Sequence, residues 1–198
     1  MGNDKMGIGD SVTALLGTAT TKPHWRNPFS RHVDKFGARA NVHVVHRRNG
    51  VVLFDEWGEN LVTDVGDGHI SKRIIEGDTE PIVTGMKLGT GATAAGKNTA
   101  GHEMGSYIAT SQEALDAAPT DATKGAGAGW RSTFICTWIA GDVTNGAIAE
   151  VCLTNQTALA DNTCAAADCI ARYVFGATID KQAGDSLEVT WQIDVLGS

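Results

Sequence analysis

The chain lacks the features of several common protein classes. It has little positive charge, since 16 Lys and Arg oppose 23 Asp and Glu for a formal net charge of −7 over 198 residues. Nucleic acids and anionic membranes attract cationic surfaces, so this balance argues against direct nucleic-acid binding and membrane binding. No apolar run approaches the ~20 residues of a membrane-spanning helix. We also expect no signal peptide, because residues 1–17 have only a short apolar patch.

A catalytic signature is also missing. No serine lies in a G-x-S-x-G pattern, and no cysteine has an evident histidine partner. His43 and His46 lie three apart on a predicted strand and so face opposite sides of the sheet, which disfavours joint metal ligation. A single His from each subunit could still meet on a three-fold axis. We predict a protein that is not an enzyme and that holds no cofactor.

The glycine-rich stretch 86–101, MKLGTGATAAGKNTAG, comes within one residue of the phosphate-binding pattern G-x-x-x-x-G-K-[ST]. Asn98 stands where that pattern needs a hydroxyl group for Mg²⁺. The residues after Lys97 contain two glycines and no helical stripe, whereas a phosphate loop opens a helix whose N-terminus faces the phosphates. We therefore predict a turn and not a nucleotide site.

Strand signals dominate what is present. The chain has 24 glycines, and Val, Ile, Thr and Trp recur in its apolar segments. Residues 40–57 read as two strands joined at Asn49-Gly50, the favoured pair for a type I′ turn. In Leu187–Val195 apolar and polar residues alternate, as in a half-buried antiparallel strand. One short helix is predicted from Thr63 or Asp64 to about Glu76, with Ile70, Ile74 and Ile75 facing inward.

These elements predict a mainly β fold with about eight strands and one short helix. We expect an antiparallel β-sandwich of the jelly-roll or immunoglobulin-like type over residues 39–198. Residues 1–38 have no sustained period and are expected to form an extended N-terminal arm. The arm is locally basic and aromatic, so it either becomes ordered on a partner or packs on its own domain. Its expected interface anchors are Trp25, Arg26, Phe29, Arg31 and Phe36.

Four cysteines lie in the C-terminal third of the chain. Zinc sites favour paired C-x-x-C spacings, which are absent. In a reducing cytosol thiols are the default state, with Cys136 and Cys152 as small core residues. The alternative is a disulfide bond between Cys164 and Cys169 across a loop, which would form in a particle that leaves the cell.

Four segments resemble a family of tailed-bacteriophage virion proteins. They follow in order over roughly residues 40–197, and each contains a glycine turn. The departures are the Cys- and Ala-rich loop Thr163–Cys169 and the arm, which has no counterpart. The matching segments are Glu59–Ile74, Met86–Ala95, Trp130–Thr154 and Tyr173–Trp191.

The resemblance implies a non-enzymatic structural protein of the virion, assembled in the cytoplasm of a bacterial host. The expected role is a capsid decoration, or cement, protein that bridges capsomers through its arm, as a homotrimer. Its expected partners are the major capsid protein or neighbouring virion proteins. A neck, tail or fibre-base component is the alternative in the same particle. A glycan- or receptor-binding β-sandwich, with exposed Trp57 or Trp130 stacking on sugar, is a further alternative.

Overall fold

The computed structural model describes residues 37–75, 81–98, 101–124, 129–156, 159, 161 and 163–196. The five anchor residues expected in the arm, Trp25, Arg26, Phe29, Arg31 and Phe36, lie outside the described residues. The arm and its anchors therefore stay predictions.

The described part of the chain is mainly antiparallel β structure with one α-helix. All strand pairs are antiparallel and join in one sheet of nine strands, in the order β4-β3-β7-β8-β2-β1-β9-β6-β5. This confirms the predicted mainly β class. The elements are β1 Gly37–Arg48, β2 Val51–Val62, α1 Asp64–Ile75, β3 Gly85–Gly89, β4 Glu113–Ala114, β5 Thr120–Thr123, β6 Trp130–Trp138, β7 Asn145–Thr154, β8 Cys169–Lys181 and β9 Asp185–Leu196, with one 3-10 turn at Ala166–Asp168.

The sheet curls around a main apolar core. Strand β2 pairs with β1 along its length but with β8 only through Leu61 and Val62, so the sheet divides into two halves beyond that point. Buried side chains from both halves meet in one cluster, including Leu88 of β3 and the fully buried Trp191 of β9. Burial of this apolar surface is the main force that holds the halves together.

The predicted hairpin between β1 and β2 is confirmed. Asn49 and Gly50 both have positive φ, 51° and 79°, as a type I′ turn requires. The pairing register shifts between His46 and Arg47. His43 lies on the outer face, where it contacts Asp55, and His46 is buried on the other. The two histidines therefore face opposite sides of the sheet.

The helix begins where the sequence predicts, but it packs through different residues. Thr63 Oγ1 accepts a hydrogen bond from the Gly66 amide at 3.1 Å and caps the first turn. The predicted inward position of Ile74 and Ile75 is wrong, because both are largely exposed. The buried face carries Gly66 and His69 instead. A Cβ on Gly66 would come within 2.2 Å of the Ile170 carbonyl oxygen, so the helix approaches β8 too closely for a larger side chain.

The polar start of β9 is anchored by a buried carboxylate. Asp185 is only 1% exposed. It accepts hydrogen bonds from Arg48 Nε and Nη2, both at 2.9 Å, and from the Gln182 amide at 2.8 Å. His46 Nε2 lies 2.8 Å from the same carboxylate. The Arg48 hydrogen bonds are the main reason that the pKa of Asp185 lies below its ordinary value of 3.8.

Acid is expected to destabilise the fold through Asp185. Because its pKa is lower in the folded chain than in the unfolded chain, the unfolded chain binds the proton more readily. The stabilising contribution is complete above about pH 5 and is lost as the pH falls through the unfolded pKa and below. In urea unfolding from pH 7 to about pH 2, Asp185→Asn should lower the midpoint at neutral pH and flatten its fall in acid. The exposed Asp67→Asn serves as the control, and an unchanged pH profile for Asp185→Asn would contradict the assignment.

No described helix has the length and apolar character needed to cross a membrane.

Candidate functional site

The face of β3, β7 and β8 that points away from the core carries buried polar and sulfur-containing side chains. Paired residues on neighbouring strands share a face. Lys87 pairs with Cys152, which pairs with Arg172, and Glu150 follows on the same side of β7. All four are fully buried. We call these four residues, with Met104, Cys164 and Cys169, the outer layer. The described residues of the segments 90–112 and 155–168 cover it.

An ion pair lies at the centre of the outer layer. Arg172 Nε donates to Glu150 Oε2 at 2.6 Å, and neither side chain is exposed to solvent. Arg172 Nη1 also donates to the Gly101 carbonyl oxygen at 3.0 Å. Two charges removed from water need such partners, because each loses its hydration.

The same carboxylate organises the glycine-rich stretch. Glu150 accepts hydrogen bonds from the backbone amides of Gly91 at 2.8 Å, Ser106 at 2.9 Å and Gly105 at 3.1 Å. A Cβ on Gly89 or Gly91 would come within 2.4 Å of Glu150 Oε1, so only glycine fits at these two positions. The anion that these backbone amides bind is thus the carboxylate of Glu150, a side chain of the protein itself.

The cluster of amides around Glu150 differs from a phosphate-binding loop in its anion, and only the Gly91 amide comes from the pattern itself. Such loops direct backbone amides at a phosphate, and here three amides point at a carboxylate instead. Lys97, the lysine of the pattern, forms an ion pair on the surface with Asp67. Residues 90–98 contain no helix. The predicted turn is therefore found.

Three cysteines of the outer layer lie together. The sulfur atoms of Cys152, Cys164 and Cys169 are all within 4.8 Å of one another and are buried. The structure joins Cys152 to Cys164 and leaves Cys169 as a free thiol. The default prediction of free thiols is met by Cys136 but not by Cys152. The alternative, a Cys164–Cys169 bond, is not the one found either, because Cys164 is bonded to Cys152 of β7. Burial raises the pKa of the Cys169 thiol to about 12, so this thiol is held in its neutral form.

The other end of the outer layer holds an amine, an amide and a carboxylate. Lys87 Nζ donates a hydrogen bond to Gln156 Oε1, and Gln156 Nε2 donates to Asp168 Oδ2 at 3.1 Å. The ring of Tyr107 lies 5.6 Å from Lys87 Nζ. Burial lowers the pKa of Lys87. Burial raises the pKa of Tyr107 to about 12, and the hydrogen bond to Asp161 acts in the same direction. Sequence alternation gave no sign of this group, because Gln156 and Asp168 lie outside the strands.

An aromatic platform lies on the outer face of β1 and β2. The rings of Trp57 and His43 stack, with centroids 4.2 Å apart and planes 5° apart. His43 Nε2 lies 2.8 Å from Asp55 Oδ1. Trp57 is 58% exposed, which leaves much of its indole open to solvent, as the glycan-binding alternative requires. Trp130 is also exposed, on β6.

Strand β2 also presents apolar side chains beside an unpaired edge. Val51, Val52 and Leu53 are 62%, 47% and 51% exposed. Among the described strands, residues 51–60 pair only with β1. An open edge with apolar side chains favours association with another chain.

No family model, no curated protein and no solved structure matches this chain.

Proposed function

We propose that this chain is a non-enzymatic structural protein of a bacteriophage virion, a capsid decoration protein that bridges capsomers as a homotrimer. The observation that carries this proposal is the exposed apolar end of β2, whose residues 51–60 pair only with β1 among the described strands. A protein that functions alone gains nothing from such an edge, whereas an assembly protein needs surfaces that join it to neighbours. The expected partner is the major capsid protein.

The resemblance to virion proteins supports the same role. Its segments lie on elements that build the fold: Glu59–Ile74 spans the end of β2 and most of α1, and Met86–Ala95 includes most of β3 and Gly91, which contacts Glu150. Such a protein requires a rigid module more than an active site, and the buried ion pair and the disulfide bond suit that requirement. We also propose that the curled sheet is a β-sandwich of the jelly-roll or immunoglobulin-like type, because one core takes side chains from both halves.

Stoichiometry in purified particles tests the role. A copy number fixed by the capsid lattice, near one per major capsid protein, supports decoration. A few copies per hundred capsid proteins would move the chain to the neck, tail or fibre base. Absence from particles would overturn the virion role.

The hairpin surface gives a prediction at the residue level. Val51→Asp with Leu53→Asp should weaken binding to capsids lacking this protein by at least about tenfold, or about 1.4 kcal/mol, because the charges lose hydration in the contact. Binding is measured by co-sedimentation. Ile75→Asp is the matched control, since Ile75 is 80% exposed but lies on α1. Equal binding by the double variant and the control would exclude this surface.

A glycan-binding role is the second candidate, and the aromatic platform favours it. Sugar rings stack on exposed tryptophan, and the Asp55 carboxylate lies beside the His43–Trp57 stack as a hydrogen-bond acceptor. Binding of host-surface glycans in solution, lost on Trp57→Ala but kept on Trp130→Ala, would favour this role. Absence of glycan binding by the unmodified protein excludes it.

A further inference from the structure

The amine of Lys87, the amide of Gln156 and the carboxylate of Asp168 come from three separate parts of the chain. Lys87 lies in the middle of β3, Gln156 follows β7, and Asp168 ends the 3-10 turn before β8. Lys87 is 0% exposed although lysine is seldom fully buried. Its Nζ contacts Gln156 Oε1, and Gln156 Nε2 contacts Asp168. The amide is thus held between an amine and a carboxylate.

This arrangement places a nucleophile beside a carbonyl carbon. Oε1 and Cδ of Gln156 are bonded, so an amine that contacts Oε1 also lies next to Cδ. Lysine becomes nucleophilic when it is removed from water, because burial favours the neutral amine. Burial lowers the pKa of Lys87 here. The orientation of the amide suits the reaction, since its nitrogen, the leaving atom, faces a carboxylate that can carry a proton.

We propose that Lys87 and Gln156 join in an intramolecular isopeptide bond, with Asp168 as the proton carrier. Lys87 reacts as the neutral amine that burial favours. Its Nζ lone pair attacks Cδ of Gln156, so that Nζ and Nε2 are bonded to the same carbon, beside the Asp168 carboxylate. Asp168 takes a proton from Nζ and delivers it to Nε2, the Cδ–Nε2 bond breaks, and ammonia leaves. One C–N bond forms and one breaks, so no oxidant or cofactor is needed.

The bond would tie β3 to segment 155–168, one of the two segments over the outer layer. That segment also holds Cys164, which is joined to Cys152. A reductant opens the disulfide bond but leaves an isopeptide bond intact. The outer layer would therefore keep one covalent tie in a reducing cytosol, independently of whether the protein belongs to a virion.

Mass spectrometry of the full-length protein, reduced and alkylated, tests the proposal. The intact mass should be lower by one ammonia than the mass calculated for the sequence with its cysteines alkylated. Trypsin should cut after the exposed Lys97 but not after Lys87, and a branched peptide should link the side chains of Lys87 and Gln156. Asn49-Gly50 can also lose ammonia by forming a succinimide, so the branched peptide is the deciding observation. Recovery of Lys87 and Gln156 only in linear peptides overturns the proposal.

Variants separate the chemistry from a structural contact. Lys87→Met, Gln156→Ala and Asp168→Asn should each remove the branched peptide. Lys181→Met should retain it: Lys181 is also fully buried, but its Nζ donates to the carbonyl oxygens of Ile139 and Asp142, at 3.1 and 2.6 Å. A branched peptide in Asp168→Asn would overturn the role of Asp168. The peptide map of the unmodified protein decides the bond itself even if a variant fails to fold.

Discussion

Replacing Glu150 by glutamine is expected to lower the free energy of unfolding by about 3–5 kcal/mol. Glutamine has nearly the same shape, so the cavity is unchanged, but the negative charge is lost. Arg172 then remains fully buried without its counter-charge. The three backbone amides that donate to Glu150 also lose a charged acceptor, and such hydrogen bonds are stronger than neutral ones.

Urea unfolding at neutral pH measures this effect. The matched control is Asp67→Asn, which removes the exposed ion pair with Lys97 and should cost less than about 1 kcal/mol. Combining Glu150→Gln with Arg172→Met should destabilise less than Glu150→Gln alone, because no unpaired charge is then buried and the glutamine oxygen still accepts from the backbone amides. A loss below about 1 kcal/mol for Glu150→Gln would show that water reaches Arg172.

The strands and their turns could be predicted because their signals are local. Asn49-Gly50 specifies a turn by its backbone preference alone, and the alternation from Leu187 to Val195 places one face in the core. The start of α1 at Thr63 and Asp64 follows from capping chemistry. The residues on the inward face of α1 could not be predicted from the sequence. The packing of Gly66 against β8 is a tertiary contact, and it outweighs the preference for burying isoleucine.

The outer layer could not be predicted for the same reason. Lys87, Glu150 and Arg172 alternate with core residues along their strands, and a polar residue in such a position is expected to face water. They are buried because two segments without periodicity fold over them. Only the glycines at 89, 91 and 105 indicated that the backbone approaches another group closely. No sequence pattern predicted that this group is Glu150.

Reduction of the disulfide bond is expected to lower the free energy of unfolding by about 3 kcal/mol, the usual magnitude for a loop of this size. Cys152 and Cys164 are 12 residues apart in sequence, and their link ties β7 to the segment that covers the outer layer. The unfolded chain gains freedom when this loop opens, while the folded chain keeps its packing. Urea unfolding with and without reductant measures the difference.

Two variants assign this loss to the observed pairing. Cys169→Ala should keep the full response to reductant, because Cys169 is the free thiol of the group. The double variant Cys152→Ala with Cys164→Ala should have the same free energy of unfolding with and without reductant. Loss of the response in Cys169→Ala would instead favour a bond that involves Cys169. A reducing cytosol keeps thiols free and oxidation follows release from the cell, so the proposed virion protein would gain this stability as the particle leaves its host.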